Sequence, residues 1–301
     1  MKGEILMEQS EAYTSIDKFK GLIKLMRPKQ WIKNVFVLAA LIFSRKMFDV
    51  LSLKEALFAF ILFCGISSGV YIINDIADIE KDRKHPKKRF RPLPSGLVKK
   101  QDAAILFLIL VLTSSALSFM LNVNFGIIVL SYFIINIAYT FYLKNIIIID
   151  VMVIAVGFVL RVIAGAVAIG VASSPWLLLC TLLLSLFLAI TKRKNEVIVL
   201  DNNAKSHRNV LDEYSVKLLD NMLSIVTSST IIAYSLYTFY AEKGYYMMIT
   251  ILFVIYGIFR YQYLVDSKTF GGSPELAFFE DKPFLINGIL YCITVILILY
   301  I

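Results

Sequence analysis

Charged residues are scarce in this sequence, and their scarcity excludes an ordinary soluble domain. Only 18% of the 301 residues are Asp, Glu, Lys or Arg, whereas about a quarter is usual in soluble globular proteins. Hydrophobic residues make up 58% and fall in long runs. Several runs reach the roughly 20 residues that a membrane-spanning helix needs. The composition therefore predicts one polytopic, all-α membrane domain.

Cysteine is also rare, and its positions suggest neither a metal site nor a disulfide framework. Cys64, Cys180 and Cys292 lie far apart inside apolar runs, so we interpret them as small buried hydrophobic residues. The N-terminal region lacks a continuous apolar core, and we expect no cleavable signal peptide there. The net charge of +9 fits cytoplasmic loops and anionic lipid headgroups. We expect no nucleic-acid partner.

The apolar runs predict nine membrane spans within a transmembrane domain over residues 33–301. The first span is the weakest, because Arg45 and Lys46 interrupt it. The predicted spans are 33–50, 54–74, 103–121, 124–143, 146–170, 174–191, 218–241, 245–265 and 283–301.

An interfacial segment over residues 1–32 precedes the spans. Ile16, Phe19, Ile23 and Met26 recur there at helical spacing between lysines. This pattern is typical of an amphipathic helix lying on a membrane surface.

Lysine and arginine are distributed unevenly between the two sets of loops. Most of the 31 lie in the N-terminal segment and in alternate loops, above all those over 75–102 and 192–217. Positive charge accumulates on the cytoplasmic side of membrane proteins. We therefore expect a cytoplasmic N-terminus, a location in the plasma membrane, and an active site at the cytoplasmic face, capped by these two loops.

Three aspartates stand at the end of the second predicted span. Asp75, Asp78 and Asp82 are three and four residues apart, with Asn74 beside them, and this spacing places carboxylates on one face of an α-helix. Oxygen-rich clusters of this kind suit Mg²⁺, which also takes water and substrate phosphates as ligands. The alternative is a solvated acidic turn neutralised by neighbouring lysines.

A basic stretch follows the acids and reads RKHPKKRFRPLPSG over residues 83–96. Its proline and glycine residues predict a structured loop. Metal-binding acids next to Lys88 and Arg91 are typical of a diphosphate site, in which metal and cations share the phosphate charge. The alternative is a positively charged loop that contacts lipid headgroups.

At these residues the sequence resembles the UbiA superfamily of intramembrane prenyltransferases. Asn74, Asp75, Asp78 and Asp82 match the NDxxDxxxD signature of that family in full. The resemblance implies a nine-helix bundle around a cavity open to the membrane. It also implies that Mg²⁺ is the cofactor, with the three aspartates as its ligands and all four residues at the catalytic centre.

The second signature of the family, a DxxxD pair after the sixth helix, is missing. The corresponding place reads TKRKNE over residues 191–196. Other segments resemble the decaprenyl-phosphate phosphoribosyltransferase branch of the superfamily: RPKQWIKN, YTFYLKN, GFVLRVIAGA, KRKNE, RNVLDEY and RYQYLV. This branch implies transfer of a 5-phosphoribosyl group from phosphoribosyl diphosphate to a polyprenyl phosphate, with release of diphosphate.

These segments also supply further candidate substrate-binding residues, nearly all of which can donate hydrogen bonds to phosphate or ribose oxygens. Interfacial anchoring, an aromatic belt or a charged loop would explain them without a substrate. Arg161, in mid-span, either lines the cavity or bonds backbone carbonyls. The candidates are Lys29, Lys33, Asn34, Tyr139, Tyr142, Lys144, Arg161, Lys192, Arg193, Glu196, Arg208 and Tyr214.

Two rival functions remain open. One is a prenyltransferase that moves a prenyl group from its diphosphate to an aromatic acceptor, against which the missing second acidic pair weighs. The other is a membrane transporter, against which the clustering of ionisable residues at one face weighs. The sequence leaves the oligomeric state open, and an oligomer is possible.

Overall fold

The computed structural model describes residues 14–84, 88–201, 209–241, 243–268, 277 and 280–301, and no strand occurs in these ranges. The predicted all-α class is confirmed. In chain order the α-helices are α1 (Ser15–Leu25), α2 (Ala39–Phe43), α3 (Val50–Ala77), α4 (Ile79–Lys84), α5 (Lys100–Leu121), α6 (Val123–Phe141), α7 (Ile149–Ala168), α8 (Pro175–Asp201), α9 (Val216–Tyr240), α10 (Gly244–Met247), α11 (Thr250–Lys268) and α12 (Lys282–Tyr300).

Eight helical stretches in the described part of the chain are long and apolar enough to cross a membrane. Each overlaps one of the predicted spans from 54–74 onward, so the hydropathy pattern located them correctly. The eight are Val50–Ala77, Lys100–Leu121, Val123–Phe141, Ile149–Ala168, Pro175–Ile198, Val216–Tyr240, Gly244–Asp266 and Lys282–Tyr300.

The first predicted span, 33–50, is not a continuous α-helix, and the count of nine α-helical spans is not confirmed. Pro28–Leu38 forms a 3-10 helix, and α2 follows it directly. A 3-10 helix rises about 2.0 Å per residue, so the two pieces together extend about 30 Å, the thickness of a bilayer's hydrocarbon core. The segment is long enough to reach across the apolar layer in this extended form.

A close backbone contact holds the 3-10 helix against α7. A Cβ atom added to Gly165 would lie 1.8 Å from the carbonyl oxygen of Val37, so only glycine permits the approach. Val37 is fully buried in a core cluster with Phe63 and Tyr132. This packing places Asn34, one turn earlier on the 3-10 helix, in the interior between α3 and α7.

The predicted cap loop over 192–217 begins as helix, because α8 continues to Asp201. Arg193 and Glu196, one helical turn apart, form an ion pair that requires this helical continuation. The described remainder of the loop is a 3-10 turn, Asn209–Glu213, that leads into α9.

The predicted interfacial segment contains an α-helix over Ser15–Leu25, which is shorter than the sequence pattern suggested, and its place at the membrane surface stays a prediction. Thr14 begins it with a capping box, in which the threonine hydroxyl accepts from the Asp17 N–H and the Asp17 carboxylate accepts from Thr14. The helix ends before Arg27, whose φ of 52° is left-handed, and Pro28 opens the next segment.

The packed core consists of several clusters, and two of them are the largest. One cluster joins α3, α6, α7 and the 3-10 helix. Another joins α8, α9 and α11 around Phe187, Leu219 and Tyr261. Only 11% of the most apolar stretch of α5 and of α12 is buried. Such exposure is what lipid-facing helices at the edge of a bundle show.

Candidate active site

The predicted catalytic residues lie at the end of α3 and in the short helix α4 that follows it. Helix α3 ends at Ala77 and Asp78 is its C-cap, so the acids do not share one continuous helix face as predicted. The chain keeps turning, however. The Asp78 N–H donates to the Asn74 carbonyl at 3.0 Å, and the Asp82 N–H donates to the Asp78 carbonyl at 2.8 Å. Asp75 and Asp82 therefore come within reach of one cation.

Asp75 and Asp82 are buried and ion-paired, with 2% and 3% of each residue exposed. Nη1 of Arg91 lies 3.1 Å from Oδ1 of Asp75 and 2.7 Å from Oδ2 of Asp82, so one nitrogen bridges the two carboxylates. Arg27 also donates to Oδ1 of Asp75. Nζ of Lys88 is 4.0 Å from Oδ1 of Asp82. The structure thus brings the predicted cations Lys88 and Arg91 to the acids.

Asp78 takes a separate partner. Its two carboxylate oxygens each lie 3.2 Å from Nζ of Lys144, which is buried in the 3-10 turn after α6. This ion pair ties the connection between α6 and α7 to the end of α3.

The oxygen donors of Asp75 and Asp82 suit a hard divalent cation. Among the described residues, no three His, Cys, Asp or Glu side chains form a metal-binding group by themselves. Asp78 points to Lys144 instead. The bridging nitrogen of Arg91 nevertheless shows that one cation can contact two of the carboxylates. Because Mg²⁺ often takes one or two carboxylates and completes its shell with water and phosphate oxygens, the pair fits such an ion.

A second polar centre surrounds Arg193, of which only 2% is exposed. Its Nε lies 2.5 Å from Oδ2 of Asp150, a completely buried carboxylate on α7. Its two terminal nitrogens donate to Glu196 and, at 3.2 Å, to the Tyr139 hydroxyl. A guanidinium between two acids therefore stands where the family's second acidic signature would be.

Tyr214 completes this centre from the far side of Asp150. Its hydroxyl donates to Oδ1 of Asp150 at 2.7 Å and accepts from the backbone N–H of Ile148 at 2.8 Å. Burial, together with the hydrogen bond to Asp150, raises the pKa of Tyr214. The single hydroxyl proton is used by Asp150 and holds that carboxylate in place, so Tyr214 could donate to a substrate oxygen only by leaving Asp150.

Arg161 is buried in a cage of neutral groups, with 5% of the residue exposed. Its three nitrogens donate to the Asn34 side-chain oxygen, the Gly157 carbonyl and the Tyr132 hydroxyl, at 2.7 to 2.8 Å. The ring of Phe158 lies 5.2 Å from its guanidinium carbon. These bonds use three of the five N–H groups of the guanidinium, and direct contact of Arg161 or Asn34 with a substrate stays a prediction.

The remaining described candidates, Lys29, Lys33, Tyr142 and Lys192, differ in their burial. Lys29 and Tyr142 are exposed, and Lys33 and Lys192 are half-buried. Arg208 lies outside the described residues. Their roles stay predictions.

Sequence reasoning missed two residues that the structure joins to the site, Arg27 and Asp150. Arg27 stands at the head of a segment that resembles the phosphoribosyltransferases, but nothing in its spacing relates it to Asp75. Asp150 begins an apolar run, and an acid in such a place is costly and often functional. That signal was available, whereas its partner, Arg193, is 43 residues away along the chain.

The two centres lie at the same end of the bundle, because one connection contacts both. The chain between α6 and α7 supplies Lys144 to Asp78 and the Ile148 N–H to Tyr214, and α7 begins with the acid that binds Arg193. The aspartate site and the Arg193 guanidinium therefore lie at the same end of the bundle.

A family comparison agrees with this arrangement. A sequence model of the UbiA prenyltransferase family matches residues 34–280. The chain belongs to this family. It is accordingly a transferase, and this UbiA protein is an integral, multi-pass membrane protein.

Curated relatives resemble most of this UbiA chain. The decaprenyl-phosphate phosphoribosyltransferase of Corynebacterium glutamicum is 31% identical over 93% of this chain and 87% of its own length. The protein of the same name from Mycolicibacterium smegmatis is 33% identical over 85% of this chain and 86% of its own length.

Solved structures share the fold. A UbiA homologue from Archaeoglobus fulgidus bound to GPP and Mg²⁺ has a TM-score of 0.72 at 19% identity, with 93% of this chain and all of that chain covered. A digeranylgeranylglyceryl phosphate synthase has a TM-score of 0.65 at 22% identity, with 93% of this chain and 98% of that chain covered.

Proposed function

We propose that this protein transfers a 5-phosphoribosyl group from phosphoribosyl diphosphate to a polyprenyl phosphate, with Mg²⁺ as cofactor and diphosphate as the leaving group. The observation that carries the proposal is the Arg193 centre. Where a prenyl-diphosphate enzyme of this family would present a second pair of acids for metal, this chain presents a guanidinium neutralised by Asp150 and Glu196. The names of its curated relatives support the same reaction.

The reaction needs no enzyme nucleophile. The acceptor phosphate is already an oxyanion, and one of its oxygens forms a bond to the anomeric carbon of ribose while the bond from that carbon to diphosphate breaks. A single displacement through an oxocarbenium-like state inverts that carbon. The protein's tasks are to orient the two anionic substrates and to stabilise the departing diphosphate.

Asp75, Asp78 and Asp82 are the residues that would hold the metal. When bound there, Mg²⁺ supplies positive charge to the diphosphate oxygens. Arg91 and Lys88 lie beside the same acids and supply further donors for phosphate. For Asp78 to join Asp75 and Asp82 as a ligand, it would have to exchange its ion pair with Lys144 for the metal.

Tyr139 is the residue through which the Arg193 centre acts on a substrate. Its hydroxyl oxygen accepts a hydrogen bond from Arg193, which leaves the hydroxyl proton directed elsewhere. Acceptance from a cation also strengthens a hydroxyl as a donor. We infer that Tyr139 donates to a phosphate or ribose oxygen, and that Arg193 orients it.

In this proposal the protein lies in the plasma membrane, and the end of the bundle that carries the site faces the cytoplasm. Most of the lysines and arginines stand at that end, in agreement with the positive-inside pattern. Phosphoribosyl diphosphate is a soluble, highly charged donor and reaches the acids from water. The isoprenoid tail of the acceptor occupies the membrane-open cavity that the family resemblance implies.

The test is a transfer assay with purified protein in detergent, Mg²⁺, radiolabelled polyprenyl phosphate and phosphoribosyl diphosphate. We expect a more polar lipid product, and its loss with EDTA. Asp75→Asn should lower the rate by at least about 100-fold, because it removes one carboxylate that would hold the metal, and the metal stabilises the charge of the leaving diphosphate. Glu80→Gln is the matched control, since Glu80 is an exposed acid of α4 paired only with Arg83 among the described contacts. It should retain full activity.

Failure would take a specific form. If no lipid product forms, while prenyl diphosphate and an aromatic acceptor yield a prenylated compound, the protein is a prenyltransferase of the ordinary kind. Equal loss of activity in Asp75→Asn and Glu80→Gln would contradict the assignment of the metal site.

A further inference from the structure

Two arginines from different parts of the chain share one carboxylate oxygen. Arg27 Nη2 and Arg91 Nη1 both donate to Oδ1 of Asp75, and Arg91 also bonds Asp82. Two guanidinium groups this close repel each other. The arrangement is favourable only while the two buried carboxylates have no other cation to neutralise them.

A divalent ion cannot join this arrangement without displacing Arg91. Mg²⁺ binds carboxylate oxygens at about 2.0–2.1 Å, so an ion shared by Asp75 and Asp82 would lie close to the point that Nη1 of Arg91 now occupies. The ion would also remove most of the attraction between Asp75 and Arg27. Metal binding and the two arginine contacts are therefore competing states of the same acids.

Both arginines can leave without moving the helix that carries the acids. Their side chains are 25% and 31% exposed. Arg27 has a left-handed backbone conformation and lies between α1 and the 3-10 helix. Arg91 follows the short 3-10 turn Lys88–Phe90. The ring of Tyr71, 5.2 Å from the Arg27 guanidinium carbon, offers that side chain a second contact when it leaves Asp75.

We propose that Arg27 and Arg91 are exchangeable counter-ions, which occupy the acids in the free enzyme and transfer to phosphate oxygens when metal and a phosphorylated substrate arrive together. This assigns Arg27 as a further substrate-binding residue. The inference rests on the proposed function, because it takes the acids as metal ligands.

The exchange makes metal and phosphate binding cooperative. Metal alone must displace two cations that then lack an anion, whereas metal with a diphosphate provides each arginine with bidentate phosphate contacts. By linkage, phosphate strengthens metal binding and metal strengthens phosphate binding by the same factor. Removal of either arginine should tighten the binding of metal alone and weaken this coupling.

The experiment measures Mn²⁺ binding to the full-length protein in detergent, by the electron paramagnetic resonance signal of free Mn²⁺, with and without inorganic pyrophosphate. Protein-free titrations correct for Mn²⁺ bound by pyrophosphate in solution. Without pyrophosphate, we expect Arg91→Gln to bind Mn²⁺ about tenfold more tightly than the unmodified protein, the order of effect for one charge near 4 Å. Arg27→Gln should show a smaller gain, because Arg27 does not bridge the acids.

Pyrophosphate should tighten Mn²⁺ binding to the unmodified protein about tenfold or more and to Arg91→Gln much less, within the usual range of coupling between sites. Arg83→Gln is the control of equal charge change, since Arg83 pairs with exposed Glu80. It should behave as the unmodified protein does. Arg27→Gln keeps the test informative if Arg91→Gln does not fold.

The outcomes distinguish failure of this inference from failure of the proposed transferase function. Mn²⁺ binding that is unchanged or weakened in both variants would overturn the exchange while leaving the transferase proposal intact. If the unmodified protein binds no Mn²⁺ in the presence of pyrophosphate, the metal site itself is refuted.

Discussion

At the residue scale, two arginines are buried in the described part of the chain, and their charges are stabilised in different ways. Arg193 is neutralised by Asp150 and Glu196, whereas Arg161 contacts a carbonyl, an amide oxygen, a phenol and aromatic rings. Burial of a charge is costly unless its hydrogen bonds are satisfied. The two arginines therefore respond differently to the loss of a neighbour.

Arg193→Gln should be strongly destabilising, because it leaves the completely buried Asp150 carboxylate without its cation. Removal of one member of a buried pair costs about 3–5 kcal/mol. The free energy of unfolding, measured in mixed micelles of increasing SDS content, should fall by that order. Asp150→Asn combined with Arg193→Gln should recover part of the loss.

The neighbouring Lys194→Gln provides the comparison. Lys194 pairs with Asp220 and Asp266, whose side chains are 49% and 62% exposed. Because both acids stay in contact with water when Lys194, itself 13% exposed, is removed, the loss should approach the about 0–1 kcal/mol of exposed pairs. A loss as large as that of Arg193→Gln would contradict the special status of the buried centre.

Asn34→Leu should destabilise the protein by about 1–3 kcal/mol, the cost of a buried donor left without its partner, since Nε of Arg161 would lose its acceptor. Arg161→Met removes the buried charge itself and should cost less. In the double variant the Asn34 effect should largely disappear, because the two residues share one interaction. Additive losses in the same SDS unfolding measurement would show that they do not.

These pairings explain what the sequence could predict about the site. The signature aspartates with Lys88 and Arg91 were found because they are near one another along the chain. Asp150 with Arg193, and Arg27 with Asp75, join residues 43 and 48 positions apart. A single sequence has no local pattern that relates such positions, so their pairing depends on how the helices pack.

At the scale of the element, the 3-10 helix Pro28–Leu38 is the main departure from expectation. Hydropathy reports that a segment is apolar, and it does not report how tightly the backbone is wound. The winding here follows from tertiary packing, because α7 approaches the segment through Gly165. The same packing brings Asn34 to Arg161.

Gly165→Ala should therefore be among the most damaging single changes in the chain. Its Cβ would meet the Val37 carbonyl at 1.8 Å, and a backbone atom cannot move aside as a flexible side chain can. We expect a loss of about 3 kcal/mol or more, at the upper end of overpacking effects. Gly157→Ala, on the same helix, meets its nearest neighbour at an ordinary 3.5 Å and should be tolerated. Thermal aggregation of the detergent-solubilised variants would distinguish the two.

At the scale of the whole molecule, the sequence predicted the fold class, eight of the spans and the family, since all three depend on long-range composition or on a contiguous motif. The proposed orientation follows from charge distribution and has a direct test. Phe90 stands at the basic end and Tyr245 at the opposite end, and both are exposed.

The test starts from a variant in which serine replaces Cys64, Cys180 and Cys292. Phe90→Cys and Tyr245→Cys, introduced one at a time, should react differently with a membrane-impermeant maleimide. In intact spheroplasts we expect labelling at position 245 and none at 90, because the positive-inside pattern places the basic end in the cytoplasm. Permeabilised cells should label at both positions. The reverse pattern in intact spheroplasts would invert the proposed topology.

The Arg193 centre also bears on how the enzyme relates to its cell. A charge carried by the polypeptide is present in every molecule from the moment it folds, whereas a charge carried by a second metal ion varies with the supply of that ion. If the aspartate site holds the one ion that the proposed function needs, the rate should rise with free magnesium along a simple hyperbola. The rate of a relative that needs two ions would respond more steeply, so the activity of this chain would fall less when magnesium is short.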